Sequence, residues 1–416
     1  MDHYRGENGS LNCPVLFKLR GPLDVAALTT ALREVIRRHE ALRTSFVGSG
    51  RYLEQIVNDP RPISIADFDI SRSEDSEAAL REAISQEINT RIDLSDLPVR
   101  ATLWRLGEQD NLFCLNMHHL VTDVWSCGVV SREIGVFYNR ETDGGPAPPP
   151  VIWQYSQFVA WQEEWLASEA LHSYQSYWSK KLQGVRLPAF PASRERLPRD
   201  QRRVKFERVH IDRDTMAALQ RVARANRATL FTVMLSIYYA LLYRLTGETD
   251  LATASLVANR FRPEVEHTVG FLSNMIILRT AFEKGANFSE MVRATRSTVI
   301  GALTHQELPY QMLPLAAVQK DSVRDIVFQM FASPVHQLTL KGIESIPFPL
   351  PDGYGARFDI DLSLIPSDGG FEVLLAYAQD GYGPAWALQF VSGFASMATA
   401  VAGDSESPIA SLHISI

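Results

Sequence analysis

One stretch of the chain concentrates groups that can do chemistry: His118-His119-Leu120-Val121-Thr122-Asp123-Val124-Trp125-Ser126. A neutral imidazole exchanges protons near physiological pH. The reaction that asks least of it is attack by an α-amino group, whose pKa near ~8 leaves an appreciable fraction already neutral. Acyl transfer to an amine therefore suits such a histidine, acting as positioner and proton acceptor. The stretch closes an apolar strand, where consecutive side chains point to opposite faces, so the two histidines do not serve one atom. One packs inward and the other can face a cavity; on type and spacing alone such a pair is more often structural than catalytic. Arg279 is a second candidate, on a strand face with Met275 and Ile277. An arginine in that company needs an anion if buried or a route to solvent if not, and local spacing names no partner.

The elements that position these groups are readable from periodicity. Val15, Phe17 and Leu19 alternate with Leu16, Lys18 and Arg20 as a strand with one better-buried face. Gly21-Pro22 ends it, and Asp24 can cap a helix with Val25, Leu28, Leu32, Val35 and Ile36 on one stripe. Thr102 to Leu106 and Leu112 to Met117 form a hairpin that delivers the chain to His118. A helix over Val129 to Asn139 follows, then a loop over Thr142 to Pro150, whose prolines and glycines hold neither helix nor central strand. Trp153 to Leu182 reads as helical with an aromatic core face. Residues 184–203, with Pro188, Pro191 and Pro198 among many arginines, read as a solvated crossover. The second half restarts with strand Val204 to Ile211, a helix opened by Asp212 or Asp214, and a helix from Thr229 to Leu245. Strands follow at Leu251 to Ala258 and Asn274 to Phe282, later strands at Phe358 to Ile365 and Phe371 to Tyr377, and a helix from Ala385 to Val401. This is mixed α/β in two similar halves, 1–183 and 184–416.

Composition narrows the function classes. Forty-one basic against 48 acidic residues give a net charge of -7, which points away from a polyanion such as nucleic acid. The apolar run Leu230 to Tyr243 is too short for a bilayer span, and the N-terminus lacks a secretory apolar core. Three cysteines, Cys13, Cys114 and Cys127, make neither a disulfide framework nor a four-thiolate zinc cage, so a reducing, cytoplasmic setting without a bound metal is expected. Glycine-rich nucleotide loops, the nucleophile elbow and the zinc-peptidase helix motif are absent.

The ordered motifs resemble the condensation domains of non-ribosomal peptide synthetases, over nearly the whole chain. The histidine stretch matches the family's two histidines, three variable residues, Asp, Gly and Trp-Ser, with Val124 where glycine is usual. Arg38 to Phe46, Tyr155 to Gln162, Val269 to Asn274 with Arg279, His305 to Tyr310 and, more weakly, Arg324 to Gln329 are similar to the other motifs, with Ile326 in place of proline. The family's usual N-terminal motif is not found in Met1 to Asn12.

The resemblance implies two chloramphenicol-acetyltransferase-like lobes in a V-shaped pseudo-dimer with a central tunnel. It implies a catalytic motif of His119, His118 and Asp123, in which His119 orients or deprotonates the amine and His118 is structural. An Asp123–Arg279 ion pair would hold the loop, and Val124, Trp125, Ser126 and Asn274 would line the tunnel. Donor and acceptor carrier proteins, peptidyl or acyl, would supply substrates on 4'-phosphopantetheine arms, with no cofactor bound by the chain itself. The chain would be a monomer or part of a larger synthetase, forming an amide. Val124 also raises a catalytically silent docking platform as an expectation, and an alcohol acceptor would give an ester.

Overall fold

The computed structural model describes residues 9–49, 52–186, 197–198, 201–315, 325–331, 336–367 and 369–414. The chain forms two compact units that do not follow the halves of the sequence. The first comprises Met1–Trp165, Arg260–Ser273 and Val335–Gly355; the second comprises Leu166–Asn259, Asn274–Pro334 and Ala356–Ile416. The expected division at 183/184 is thus corrected: the first unit closes earlier and takes back two segments from the C-terminal half.

The first unit is built on a five-stranded sheet whose centre is the pair β1 (Asn12–Arg20) and β6 (Asp110–His118), antiparallel with Asn12 opposite His118. Around that pair lie β11 (Glu344–Pro347) on one side, and β5 (Val99–Arg105) and β4 (Ala66–Asp69) on the other. A separate hairpin pairs β2 (Thr44–Ser49) with β3 (Tyr52–Val57).

Helix α1 (Val25–Arg38) starts where Asp24 accepts from the Ala27 N–H, and Arg37 and Arg38 lie in its last turn, where positive charge suits the dipole. Its stripe of Leu28, Leu32, Val35 and Ile36 is buried with Val15, Phe17 and Leu19 of β1. The strand's other face is covered at Leu16, while Lys18 and Arg20 beyond it reach solvent. Leu16 and Leu112 pack with Ile84 and Ile88 of α2 (Ser76–Asn89), a helix whose short apolar stripe gives little periodic signal. Helix α3 (Val124–Asp143) begins earlier than the expected Val129, and α4 (Tyr155–Leu166) follows the proline loop.

The second unit opens with α5 (Ala170–Leu182), so the helical stretch expected from Trp153 is two helices. Its six-stranded mixed sheet runs β7 (Val204–Ile211), β13 (Gly370–Ala378), β12 (Ile360–Ser367), β10 (Ile326–Met330), β8 (Asp250–Val257) and β9 (Asn274–Ala281). The strands β10 and β12 are parallel neighbours; β12–β13, β13–β7 and β8–β9 are antiparallel. Helices α6 (Arg213–Ala225), α7 (Leu230–Thr246), α8 (Phe288–Thr304) and α9 (Pro384–Gly403) complete the unit. Helix α7 is buried nearly all round, which explains its continuous apolar sequence. By length and composition α9 is apolar enough to cross a membrane. Its Phe390, Val391, Phe394 and Met397 are part of the packed core of this unit.

The crossover reading is corrected in part. Arg202 is largely buried and pairs with Asp359 at 2.6 Å, with Asp380 at 3.8 Å, so this arginine is an anchor and not a solvated charge. Residues 187–196 and 199–200 of that stretch, and Arg324, lie outside the described residues.

Candidate active site

Strand β6 ends at His118, and the two histidines diverge as strand geometry requires. His118 is buried, and its Nδ1 accepts a hydrogen bond from the Leu120 N–H at 3.1 Å. His119 is half-buried, and its Nδ1 lies 2.7 Å from the Thr122 carbonyl oxygen. A carbonyl only accepts, so Nδ1 of neutral His119 carries the proton and Nε2 carries the lone pair. The neighbouring imidazoles are thereby held in opposite tautomers. The Phe271 ring sits 4.6 Å from that of His119, centroid to centroid, and forms one wall for it.

Asp123 explains why the loop after His119 holds its shape. It is the N-cap of α3: Oδ1 accepts from the Ser126 N–H at 2.7 Å. Its Oδ2 accepts from Leu272 N–H at 3.1 Å and Ser273 N–H at 2.9 Å. Arg260 completes the shell at 3.3 Å, and both side chains of this pair are only 2% exposed. Burial pulls the Arg260 guanidinium below its ordinary pKa while Asp123 opposes that shift. Arg260 also donates to the carbonyls of Val265 and Thr268 and to the Ser126 hydroxyl. One carboxylate thus ties the end of β6, the start of α3 and the 260–273 segment together.

The expected Asp123–Arg279 pair is therefore corrected on both sides. Arg279 binds Asp250 with two hydrogen bonds, 2.9 Å and 2.6 Å, and donates to the carbonyls of Lys181 and Gln183. In the β8–β9 register Arg279 lies opposite Ala252, so Asp250 is its diagonal neighbour on the same strand face. Two expected tunnel residues have other work. Ser126 is fully buried, donating to the Gly270 carbonyl and accepting from its N–H. Asn274 spends its whole amide on one turn: it donates to Gln306 and Leu308 carbonyls and accepts from the Tyr310 N–H. Val124 and Trp125 are exposed, 41% and 44% respectively, and the indole N–H of Trp125 donates to the Glu266 carbonyl.

Sequence reasoning missed Arg260, Phe271 and Glu133. Glu133 on α3 is buried and takes both Arg38 at 2.9 Å and His39 at 2.8 Å, which gives the Arg38-His39 motif its purpose: it locks the end of α1 to α3. A carboxylate between the second and third turn of a core helix, paired with a basic motif at the end of another helix, is the signal that was available. No metal-ligating cluster is found among the described residues.

Comparison with known proteins gives the family and the fold. A family model described as "Condensation domain" matches residues 2–415. Malpinin synthetase of Mortierella alpina is 30% identical over 420 residues, 98% of this chain and 5% of that protein. Cyclosporin synthetase of Tolypocladium inflatum is 32% identical over 417 residues, 97% of this chain and 3% of that protein. The chain therefore spans a small fraction of the length of the curated relatives it matches. Among solved structures, the X-domain from teicoplanin biosynthesis superposes with a TM-score of 0.86 at 22% identity, covering 99% of this chain and 94% of that one. The first condensation domain of the calcium-dependent antibiotic synthetase, in complex with a substrate analogue, gives 0.82 at 20%, covering 98% and 95%.

Proposed function

The chain belongs to the condensation-domain family, and from that membership we propose that it joins a carrier-bound acyl thioester to a carrier-bound amine. The amine nitrogen attacks the thioester carbonyl, a C–N bond forms, and the C–S bond breaks. His119 Nε2 receives the proton the nitrogen sheds and returns it to the departing thiolate, so the products are an amide and a free pantetheine thiol. The carriers, peptidyl or acyl, bring both substrates on 4'-phosphopantetheine arms. The observation that supports the reading best is the His119 Nδ1 to Thr122 carbonyl hydrogen bond, which holds the imidazole in the tautomer whose Nε2 can accept.

Val124 does not argue against turnover. It is the first residue of α3, in ordinary helical backbone that needs no glycine, and its side chain is exposed. A β-branched residue there costs at most a few tenths of a kcal/mol.

The test loads donor and acceptor carriers, mixes them with the protein, and follows the acceptor carrier by intact-protein mass spectrometry. A mass gain that falls by about a hundredfold or more in His119→Ala is expected. Turnover seen only in Val124→Gly would overturn the reading for the natural chain. Carrier binding without turnover in any variant would make it a docking platform, and an ester from hydroxy-acyl acceptors would change the product class.

A further inference from the structure

In the first unit, the last turn of α2 is capped by side chains of the sheet it packs on, and one of those caps leads to His119. A helix end leaves its final carbonyls without intrahelical donors, and α2 has no glycine after Thr90 to fold the chain back over them. Three strands supply the donors instead. Arg100 of β5 reaches the carbonyls of Glu87, Thr90 and Arg91 at 2.8, 2.8 and 3.0 Å. Asn116 of β6 donates to the Glu87 carbonyl and to its carboxylate, both at 3.1 Å. Asn12 of β1 directs its amide nitrogen at two carbonyls, Ile88 at 2.9 Å and Thr90 at 2.8 Å.

Asn12 differs from Arg100 and Asn116 in what the backbone beside it carries. The carbonyl of its neighbour Leu11 accepts from the His119 N–H at 2.8 Å. Strand β6 ends at His118, so this bond is what holds the backbone of the next residue. Leu11 lies in a tight turn closed by the Asn12 N–H on the Gly9 carbonyl at 2.8 Å. Gly9 has φ +67°, and a Cβ there would come within 2.7 Å of the Ile88 carbonyl oxygen, so the turn lies directly against the end of α2. Asn12, buried and opposite His118 in the register, is the side chain that fastens it there. His119 is thus held at two points, its N–H by Leu11 and its Nδ1 by the Thr122 carbonyl. The second bond selects a tautomer only while the backbone stays where the first puts it.

We propose that Asn12 is a positioning residue for His119, acting through the Gly9–Asn12 turn. The proton-acceptor role of His119 rests on the condensation reading, so one measurement follows the tautomer and a second follows turnover. With isotope-labelled histidine in the full chain, ring-nitrogen NMR of wild type against His119→Ala identifies the His119 signals, which should show Nδ1 protonated in the neutral ring. Asn12→Ala should admit the Nε2–H tautomer and lower kcat about tenfold, with KM for the loaded carriers within about twofold. Asn12→Ser keeps one donor and should fall between the two; it carries the test if the alanine variant does not fold. Arg100→Met strips the same helix end but not the turn, so it should lower thermal stability and leave the His119 tautomer and kcat as in wild type. A tautomer unchanged in both Asn12 variants, or changed equally in Arg100→Met, overturns the proposal and leaves Asn12 as a helix cap alone. A tautomer that follows Asn12 together with no amide product from wild type would sink the condensation reading and leave this one standing.

Discussion

Arg260 and Arg279 each hold one aspartate, and burial decides how much each pair matters. The Arg260–Asp123 pair is 2% exposed on both sides, so removing the cation strands a carboxylate that has no solvent to turn to. Arg260→Met should lower unfolding free energy by about 3–5 kcal/mol. Asp250, partner of Arg279, is 47% exposed, and Asp250→Asn should cost about 1 kcal/mol or less. Urea titrations of the two variants side by side check the contrast; equal losses would mean that the Asp123 shell has slack. Because Asp123 also caps α3 and receives two backbone N–H groups from the 260–273 segment, Arg260→Met should slow the proposed amide formation even where the protein still folds.

At the level of elements, the 260–273 segment lies against α3 and α4 through contacts with no spare room. A Cβ added to Gly270 would clash with the ring edge of Tyr155 on α4, while the Ser126 hydroxyl bonds both the N–H and the carbonyl of Gly270. Gly270→Ala should therefore destabilise by about 1–3 kcal/mol, and Tyr155→Leu should recover part of that loss when the two are combined. A double-mutant cycle measures the coupling.

Elements marked by a clear apolar period or by a continuous apolar run were legible in sequence: β1, α1, the β5–β6 hairpin and β7 at both its ends, and, by its unbroken run, α7. Helix α2 was not, because only Ile84 and Ile88 are buried on it. The histidine motif was also legible, since strand alternation alone separates His118 from His119. The partner of Asp123 was not, because it sits in a loop brought back from the far half of the chain. A motif pairs residues by order in a family, and here the arginine in the expected place had an aspartate of its own across the sheet.

For the molecule as a whole, acid stability carries a signature of Asp361. Burial raises its carboxyl from 3.8 to about 6, against the opposing pull of the Ser363 and Gln329 hydrogen bonds and the charge of Arg357. Between those values the folded chain keeps a proton that the unfolded chain has released, so stability falls as pH rises through the window and is level outside it. The total for this group is up to about 3 kcal/mol. Unfolding free energies measured from pH 4 to pH 7 should show that decline, and Asp361→Asn should remove it and be the more stable protein at pH 7. A decline of the same size in the variant would assign it to other groups.

The return of Arg260–Ser273 and Val335–Gly355 to the first unit has a consequence for synthesis on the ribosome. Domains commonly fold in order as they leave the exit tunnel. This first unit has to wait: Asp123 meets no arginine until residue 260 emerges, and β1 has no neighbour on its outer edge until Glu344–Pro347 does. Until then the nascent chain carries an open strand edge and an unpaired carboxylate. Release of a chain stopped after Trp165 should yield an aggregation-prone fragment, and supplying the remaining sequence as a separate polypeptide should not substitute efficiently for the continuous one.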